Sequence, residues 1–341
     1  MKIIEASGDA RTIGRATGEA TREEIAQHLA AFPPVSNWAE WDRRKGAFIE
    51  VLRGTLPLVW EEMQGTAEGA NCSLDDILAL NCPMYASDND PREGCTNIAF
   101  ADGPDGPLWG KNNDGYAPGE SRPACGRVVR RDDGIPLVLF TFCGLVATTD
   151  GMNAEGLAIG HSSVGSTYEQ SDHHVFIRLW AYECMMRART TAEFLRLFGS
   201  RPTRGKGYTI LCVDAQGLMC SIEAPCPLMQ VRFPDEGARV MNCVNYYQLP
   251  HLWNADRRPE QGKLNAIARR HTLDQLEQSL PDLGLASMQG ALRHHGDVSI
   301  CRHGGGDGSH TEYSMIGIPR QGKVLYCHGY PCEEQYSDIA F

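Results

Sequence analysis

The sequence has no long apolar run and no cluster of basic residues. No uninterrupted stretch of about 18 apolar residues occurs, so no segment predicts a transmembrane helix. The first six residues lack the apolar core of a signal peptide. With a formal net charge of −11 and no run of Lys or Arg, the chain is a poor candidate for binding nucleic acid or an anionic membrane. We therefore expect a cytoplasmic protein.

The sequence also lacks internal repeats and low-complexity segments. Its hydrophobic content of 42% is enough for a sizeable core. Length alone would allow two domains, but layered folds of helices and sheets often reach this size as one domain. We expect a single α+β domain, and the sequence leaves open whether the chain forms a homo-oligomer.

Cysteine is abundant, with 13 residues, an odd number. In a cytoplasmic protein most cysteines stay reduced and buried, where they behave as small apolar residues. Zinc is the alternative, and the C-terminal part of the chain offers seven residues of ligand type: His294, His295, Cys301, His303, Cys327, His328 and Cys332. Because none of these has the paired C-x2-C spacing of a zinc knuckle, we expect no metal and no cofactor.

The first 94 residues have mainly helical patterns after a short strand at 3–5. The Thr-x-x-Glu form of a capping box predicts a helix over 21–29. An amphipathic pattern over 48–63 and a Ser cap before 74–80 predict two more helical regions. Residues 81–93 are rich in Pro, Asp and Asn, which predicts an exposed irregular linker.

Short strands and turns dominate after residue 94. Turn residues between apolar segments predict strands at 126–131, 136–142, 144–149, 157–160, 208–213, 218–222, 240–245, 313–318 and 323–326. Helical patterns occupy 175–186, 191–198 and 265–276. This order suits sheets packed between layers of helices.

One hairpin brings together residue types that carry catalysis. A Pro- and Gly-rich stretch after Phe100 predicts its turn, and we expect Phe100 to face Leu108 across it. Antiparallel pairing then puts Cys95 opposite Asn113 and beside Asp114, at about 4.5–5.5 Å. A thiol, a carboxamide and a carboxylate therefore converge in one local element.

Gly94, directly before Cys95, indicates a self-cleaving peptide bond. Glycine leaves its carbonyl open to attack by the following thiol, which would give a thioester that water hydrolyses. Cys95 would then be a new N-terminus, whose α-amine has an ordinary pKa of about 7.7–8.0 and could act as base for its own thiol. Asp114 would orient the ammonium, and Lys111 would lower the pKa of the thiol.

The stretch from Gly94-Cys95-Thr96 to Asn113-Asp114 resembles the Ntn hydrolases of the penicillin acyltransferase type (isopenicillin N acyltransferase-like, peptidase C45). It is more distantly similar to the choloylglycine hydrolases. Other stretches fall in that family's order: Gly14–Glu19 as its N-terminal Gly-rich turn, Glu61–Ala70 and Leu78–Asn81 as the helix before the cleavage site, Asp150–Leu157, Val244–Tyr247 and Ser299–His303. Each motif alone is weak, but the ordered set is specific and covers nearly the whole chain.

The resemblance implies a four-layer αββα sandwich of two antiparallel sheets between helical layers. It also implies a self-processing amidohydrolase that takes a small-molecule amide or thioester substrate through a thioester on Cys95. Cleavage between Gly94 and Cys95 would divide the domain into a mainly helical segment, 1–94, released by the cut, and a catalytic segment, 95–341.

The resemblance assigns further site residues. Asn245 matches the asparagine that donates to the tetrahedral oxyanion, although Tyr follows it where the family has His; Asn242 is the competing assignment. Lys111 stands where choloylglycine hydrolases have Arg, and it keeps the charge but not the bidentate fork; a solvated strand lysine is the alternative. Arg269 lies where the family places a helix arginine near the nucleophile, and Arg270 is its rival.

Other polar residues have less defined roles. A second oxyanion donor could come from the backbone near Ser163. His161 could face the pocket or be a buried structural histidine. Four more residues are expected to support turns and strand ends: Asp150, Asn153, Arg302 and His303.

Three classes of function stay open. We favour the amidohydrolase over an acyltransferase, because no basic pocket for coenzyme A phosphates stands out. The second class is a conventional cysteine protease or transglutaminase-like enzyme that pairs Cys95 with His161 or His303. The third is a non-catalytic binding or metal-storage protein that uses the Cys and His content.

Overall fold

The computed structural model describes residues 1–84 and 92–341. The linker predicted over 81–93 therefore lies partly outside the described residues. In chain order the strands are β1 (Lys2–Gly8), β2 (Gly94–Phe100), β3 (Leu108–Gly115), β4 (Ala124–Arg131), β5 (Leu137–Phe142), β6 (Gly151–Asn153), β7 (Ala158–Ser163), β8 (Val175–Phe176), β9 (Thr203–Arg204), β10 (Tyr208–Val213), β11 (Met219–Ala224), β12 (Gln230–Arg232), β13 (Val240–Cys243), β14 (His310–Ile318), β15 (Lys323–His328) and β16 (Ser337–Ile339).

The helices lie in two groups along the chain. They are α1 (Ala10–Ala20), α2 (Arg22–Ala31), α3 (Trp38–Thr55), α4 (Pro57–Ala70) and α5 (Leu74–Asn81), then α6 (Ile177–Met185), α7 (Thr191–Phe198), α8 (Glu260–Ser279) and α9 (Leu285–Leu292), with short 3-10 helices at Pro250–Ala255 and Pro319–Gln321. Among the described residues, no helix is both long enough and apolar enough to cross a membrane.

Two large sheets form the centre of the molecule. The eight-stranded sheet has the order β1-β4-β5-β6-β7-β10-β11-β12, and the six-stranded sheet has the order β13-β2-β3-β14-β15-β16. Neighbouring strands in both sheets are antiparallel, except that β1 pairs in parallel with β4. The first strand of the chain is thus an edge strand of a sheet whose other strands all follow residue 94.

Three apolar clusters show how the layers stack. One joins α1 to α7 with the outer face of the eight-stranded sheet, including Ile159 and Ile210. A second fills the space between the sheets and contains Trp109 and Phe140. The third lies between the six-stranded sheet and helices α8 and α9. The architecture is therefore α+β with two sheets between helical layers, as predicted.

The predicted hairpins occur with their predicted partners, but three local interpretations are wrong. Residues 144–149 form turns and bends, and the strand that follows is β6. Thr21 precedes α2, but its hydroxyl donates to the carbonyl of Thr17 at 2.7 Å rather than capping the helix. Gly14–Glu19 is helical within α1, not a Gly-rich turn.

The glycines of α1 have a packing role instead. A Cβ atom at Gly14 or Gly18 would overlap backbone atoms of α4, and one at Gly65 or Gly69 of α4 would overlap backbone atoms of α1. Spacing by four residues puts each pair on one helix face, so the two helices approach closely along that face.

Candidate active site

Cys95 lies on β2 of the six-stranded sheet, and it lines a cavity. The register of the hairpin is as predicted: Phe100 pairs with Leu108, and Cys95 pairs with Asn113. The Cys95 Sγ atom lies 3.6 Å from Asn113 Oδ1. All residues of β2 and β3 are buried, because this hairpin has helices on one face and the second sheet on the other.

Side chains hold both main-chain groups of Cys95. Its N–H donates to Asn245 Oδ1 at 2.7 Å, and its carbonyl oxygen accepts from Arg269 Nη1 at 2.7 Å and from the Ser162 hydroxyl at 3.3 Å. Arg269 Nη2 also donates to Asn245 Oδ1 at 2.8 Å. Two donors meet at this oxygen, which fixes the carboxamide orientation, and the amide nitrogen donates to the carbonyl of Ser163 at 2.8 Å. Cys95 is thus anchored independently of its link to Gly94.

Gly94 lies between two charged groups. A Cβ atom built on it would overlap Arg302 Nη1 and lie 3.3 Å from Asp114 Oδ2. Asp114 Oδ1 accepts from the Thr311 hydroxyl at 2.8 Å, whereas Oδ2 is buried and has no hydrogen-bond partner within 1–84 and 92–341. Arg302 also pairs with Asp307. An acceptor site is therefore left open beside the Gly94–Cys95 peptide.

Lys111 of β3, in the six-stranded sheet, contacts Asp150 and His161 of the eight-stranded-sheet side. Its ammonium lies 2.6 Å from Asp150 Oδ1 and 3.4 Å from His161 Nδ1. The same oxygen of Asp150 is 2.9 Å from His161 Nδ1 and accepts the His161 backbone N–H. Lys111 and Asp150 have no exposed side-chain surface. Lys111 is thus part of a buried triad with Asp150 and His161, not a solvated strand lysine.

Burial strongly affects the pKa values of these groups. It raises the pKa of the Cys95 thiol to about 12, against the positive charge of Lys111. It also raises the pKa of Asp114, against the effect of Arg302 and Arg269. Burial, together with Arg302, lowers the pKa of Arg269 to about 9. Burial opposes ionisation of Asp150 as well, but His161 and Lys111 hold the pKa of its carboxyl well below the ordinary value. The thiol of the uncut chain therefore needs a base to react at neutral pH.

Cys95 opens into a cavity of about 580 Å³. This volume lies within the range of about 300–1,000 Å³ typical of small-molecule sites. Asp114, His161 and Ser163 also line it. Part of its wall is apolar and comes from Phe32, Pro34, Leu80, Met84, Phe142 and Leu145. Residues on both sides of the predicted cleavage site thus build one cavity.

Glu312 lines the same cavity as Cys95. Its carboxylate accepts from Asn113 Nδ2 at 2.9 Å and from the backbone N–H of Tyr116 at 3.2 Å. Burial raises the pKa of Glu312 to about 6, against the effect of these donors. Asn113 links this carboxyl to Cys95, because its Oδ1 atom lies 3.6 Å from the sulfur and its Nδ2 atom donates to Glu312.

The structure brings together most of the predicted site residues. Cys95, Lys111, Asp114, Asn245 and Arg269 converge, and His161 and Ser163 border the same cavity. Two rival assignments point elsewhere.

The rivals are Asn242 and Arg270. Asn242 Nδ2 donates to Asp274 of α8 at 3.2 Å, and Asn242 is not among the described residues that line the cavity. Arg270 also pairs with Asp274, at 2.7 Å. Both lie on the outer side of the six-stranded sheet, away from the thiol.

Sequence reasoning gave too little weight to Asp150, Arg302 and Glu312. Asp150 was expected to support a turn, but it is the buried anion of the triad with Lys111 and His161. Arg302 was expected to support a strand end, but it contacts Gly94. The sequence did offer a signal for both residues, because Asp150 and Arg302 are charged and lie inside the motifs Asp150–Leu157 and Ser299–His303. Glu312 had none, because it reaches Asn113 only through the β3–β14 pairing.

Comparison with known proteins finds structural likeness only at low similarity. No protein-family model matches the sequence, and no similar sequence occurs among the curated proteins searched. The N-acylethanolamine-hydrolyzing acid amidase ortholog of Caenorhabditis elegans is similar with a TM-score of 0.45 and 14% identity, over 66% of this chain and 93% of that one. The penicillin V acylase of Agrobacterium tumefaciens gives 0.43 and 14%, over 69% and 83%.

A variant of the conjugated bile acid hydrolase of Clostridium perfringens gives a TM-score of 0.46 and 13% identity, over 72% of this chain and 92% of that one. At these scores and identities, the likenesses carry no argument about the activity of this chain. Membership of the penicillin acyltransferase family stays a prediction.

Proposed function

We propose that this chain is a self-processing amidohydrolase that cuts its own Gly94–Cys95 peptide and then hydrolyses small N-acyl amides through a thioester on Cys95. One observation carries the proposal: Asn245 holds the backbone nitrogen of Cys95 and Arg269 holds its carbonyl, at the wall of a cavity of suitable size. These contacts would keep Cys95 in place after the preceding bond is broken.

The first reaction is an intramolecular acyl shift. The Cys95 sulfur attacks the carbonyl carbon of Gly94, the S–C bond forms, and the C–N bond breaks as the Cys95 nitrogen takes up the thiol proton. Water then hydrolyses the thioester and leaves a Gly94 carboxylate. The lack of a Cβ on Gly94 leaves room for Arg302, whose positive charge favours the developing oxyanion and the carboxylate.

The cut gives Cys95 its own base. Its α-amine would keep the hydrogen bond to Asn245 Oδ1, and Asp114 Oδ2 is an open acceptor beside it. The ordinary pKa of an α-amine, about 7.7–8.0, suits proton exchange near neutral pH. An amine beside the sulfur also supplies the base that the buried thiol of the uncut chain lacks.

Amide hydrolysis then follows in two steps. The amine takes the thiol proton, the sulfur attacks the substrate carbonyl, and the collapsing intermediate releases the substrate amine with that proton and leaves an acyl thioester. Water, deprotonated by the same amine, frees the acid and restores the thiol. Asn245 Nδ2 has a second N–H besides the one given to Ser163, and it is the donor that we assign to the oxyanion.

The apolar part of the cavity wall favours an apolar acyl group. Phe142 and Leu145 line it from the catalytic segment, and Leu80 and Met84 line it from the preceding segment. Replacing Leu145 by Trp should therefore raise the KM for long-chain acyl amides more than for acetyl amides. The exposed Leu218→Trp is the matched control.

The segment before the cut should stay bound. It supplies β1 at the edge of the eight-stranded sheet, and Glu62 of α4 forms a buried ion pair with Arg127 of β4 at 2.5 Å. Release of this segment would open the cavity and expose that pair. We therefore propose a processed protein of two associated chains.

The contacts of the thiol argue against a cysteine–histidine enzyme. Among residues 1–84 and 92–341, no histidine forms a hydrogen bond with Cys95 Sγ, and His161 Nδ1 faces Asp150 and Lys111 instead. The His303 ring contacts Tyr330 and Cys332 instead of Cys95.

Intact-mass spectrometry tests the proposal. Wild-type protein should give fragments of residues 1–94 and 95–341 that co-elute in native size-exclusion chromatography, and Cys95→Ala should remain one chain. Cys72→Ala, at a half-buried cysteine, is the matched control and should be cut. An uncut wild type that still hydrolyses amides would overturn the self-processing mechanism.

A second experiment separates hydrolase from acyltransferase. Incubation with labelled acyl amides and hydroxylamine should give the free acid as the main product if water is the preferred acceptor. Predominant transfer to hydroxylamine or another amine would favour the acyltransferase. Failure to label Cys95 with any acyl amide or thioester would contradict both.

A further inference from the structure

Four side chains of metal-ligand type meet at a place outside the cavity. They are His295, Cys301, His303 and Cys332, each of which offers one ligand atom within 4.8 Å of the other three. His295 follows α9, Cys301 and His303 precede β14, and Cys332 follows β15. Three separate chain segments thus converge on one point.

Two of the distances between the ligand atoms match those of a tetrahedral zinc ion. Zn–S bonds of about 2.3 Å and Zn–N bonds of about 2.0–2.1 Å imply sulfur–sulfur separations of about 3.8 Å and sulfur–nitrogen separations of about 3.5 Å. Cys301 Sγ lies 3.6 Å from Cys332 Sγ and 3.5 Å from His303 Nε2. The distance from His303 Nε2 to Cys332 Sγ is 3.1 Å.

The surroundings hold His303 with Nε2 toward the sulfurs. Its ring stacks on Tyr330 with centroids 3.7 Å apart. Its other nitrogen, Nδ1, lies 3.7 Å from Glu333 Oε1, on the side where metal-bound histidines have a carboxylate or carbonyl partner. The His294 carbonyl accepts the backbone N–H groups of Ile300 and Cys301 at 3.0 and 3.1 Å. The loop from α9 to Cys301 is therefore closed before any ion binds.

We propose that these four residues bind one Zn²⁺ as a structural site. Two thiolates and two imidazoles in a tetrahedron are the donor set and geometry that zinc prefers. The proposal departs from the sequence-based expectation of no metal, which rested on the absence of a C-x2-C pair. The ligands here are spaced as His-x5-Cys-x-His, with Cys332 added by the fold.

The site has a consequence for the cut. Arg302 lies between the two ligands Cys301 and His303, and its guanidinium contacts Gly94. An ion held by the residues before and after Arg302 would fix the backbone position of Arg302. That backbone carries the guanidinium to the proposed scissile peptide. The zinc would thus stabilise the position of Arg302 beside Gly94 without contacting substrate, and Arg302 would be a positioning residue.

The first test measures zinc in the full chain after reduction, zinc loading and dialysis against metal-free buffer. We expect about one zinc per chain by elemental analysis. Cys332→Ser and His303→Ala should each lower that value at least fivefold, and His328→Ala, at another exposed histidine, should not. Less than 0.1 zinc per wild-type chain would overturn the proposal, as would equal zinc in all variants.

A second readout identifies the ligands directly. Cobalt substituted into the wild-type protein should show the visible d–d bands of a tetrahedral site and near-ultraviolet thiolate-to-cobalt charge transfer, both lost in Cys332→Ser. Near-ultraviolet circular dichroism checks that this variant folds, which the exposure of Cys332 favours. A Cys301–Cys332 disulfide that re-forms after reduction and prevents metal uptake would overturn the proposal.

Discussion

The guanidinium of Arg302 occupies the space in which any residue other than glycine at position 94 would place its Cβ atom. Asp114 Oδ2 lies 3.3 Å from the same point. The residue before Cys95 is thus restricted by the packing of two charged side chains as well as by backbone freedom. This relationship makes the peptide before Cys95 the most sensitive part of the proposed mechanism.

We expect Gly94→Ala to slow self-processing at least tenfold, because the added methyl group displaces Arg302 from the scissile peptide. The measurement is the fraction of cut chain against time by intact-mass spectrometry. Gly46→Ala is the control, since a Cβ atom there would have no described atom within 4 Å apart from its chain neighbours and the backbone of its own helix. Cleavage of Gly94→Ala at the wild-type rate would show that Arg302 does not act at this bond.

Asn245→Ala should lower kcat/KM per processed chain by about 100- to 1,000-fold, because it removes the proposed oxyanion donor. Asn242→Ala is the matched control at the competing position and should stay within about threefold of the wild type. Steady-state kinetics on a fluorogenic amide measures both. Equal losses in the two variants would contradict the assignment of Asn245.

Glu312 should make stability depend on pH in a defined window. Burial raises the pKa of Glu312 from 4.5 to about 6, so between these pH values the folded chain holds a proton that the unfolded chain has lost. The stability from this group is complete below pH 4.5 and is lost as pH rises through about 6.

The free energy of unfolding of the wild type, minus that of Glu312→Gln, should therefore fall by about 2 kcal/mol across the window. Urea unfolding at a series of pH values measures the difference, and the exposed Glu169→Gln controls for the loss of one carboxylate. Parallel curves for wild type and Glu312→Gln would show that the carboxyl keeps its ordinary pKa.

Glu62→Gln should destabilise the protein by about 3–5 kcal/mol, because it leaves the buried charge of Arg127 without its partner. The loss should show in urea unfolding of uncut Cys95→Ala protein, where both segments are still joined. Glu68→Gln, which removes an exposed partner of Arg11, is the control and should have little effect. A small effect at both positions would mean that α4 contributes little to holding the sheet.

The sequence predicted local structure better than long-range contacts. The register that places Cys95 opposite Asn113 followed from one turn and strict alternation across the hairpin. The glycines of α1 were misread because their close partner, α4, begins almost 40 residues after α1 ends, and spacing by four residues alone does not identify a helix pair. The layered arrangement of the sheets came from family resemblance, since periodicity does not specify sheet order.

The candidate site shows the same limit. Asn245 and Arg269 were selected by resemblance, and the structure brings both to Cys95. Glu312 and Arg302 reach the site through strand pairing and loop closure more than 190 positions away in sequence, for which no local pattern exists. The four proposed zinc ligands were noted only within a set of seven Cys and His residues, because Cys332 joins Cys301 only when β14 and β15 pair.

The position of β1 also affects the order of folding and cleavage, and whether unfolding is reversible. This strand pairs with β4, which lies on the other side of the proposed Gly94–Cys95 cut. Under the proposed mechanism the chain would fold before it is cut, while the two segments are still tethered and meet at high effective concentration. After the cut, complete unfolding would separate the segments, and recovery would require two chains to find each other again. We expect the precursor to refold from urea and the processed protein to refold poorly at low concentration. The proposed cut would therefore make unfolding less reversible.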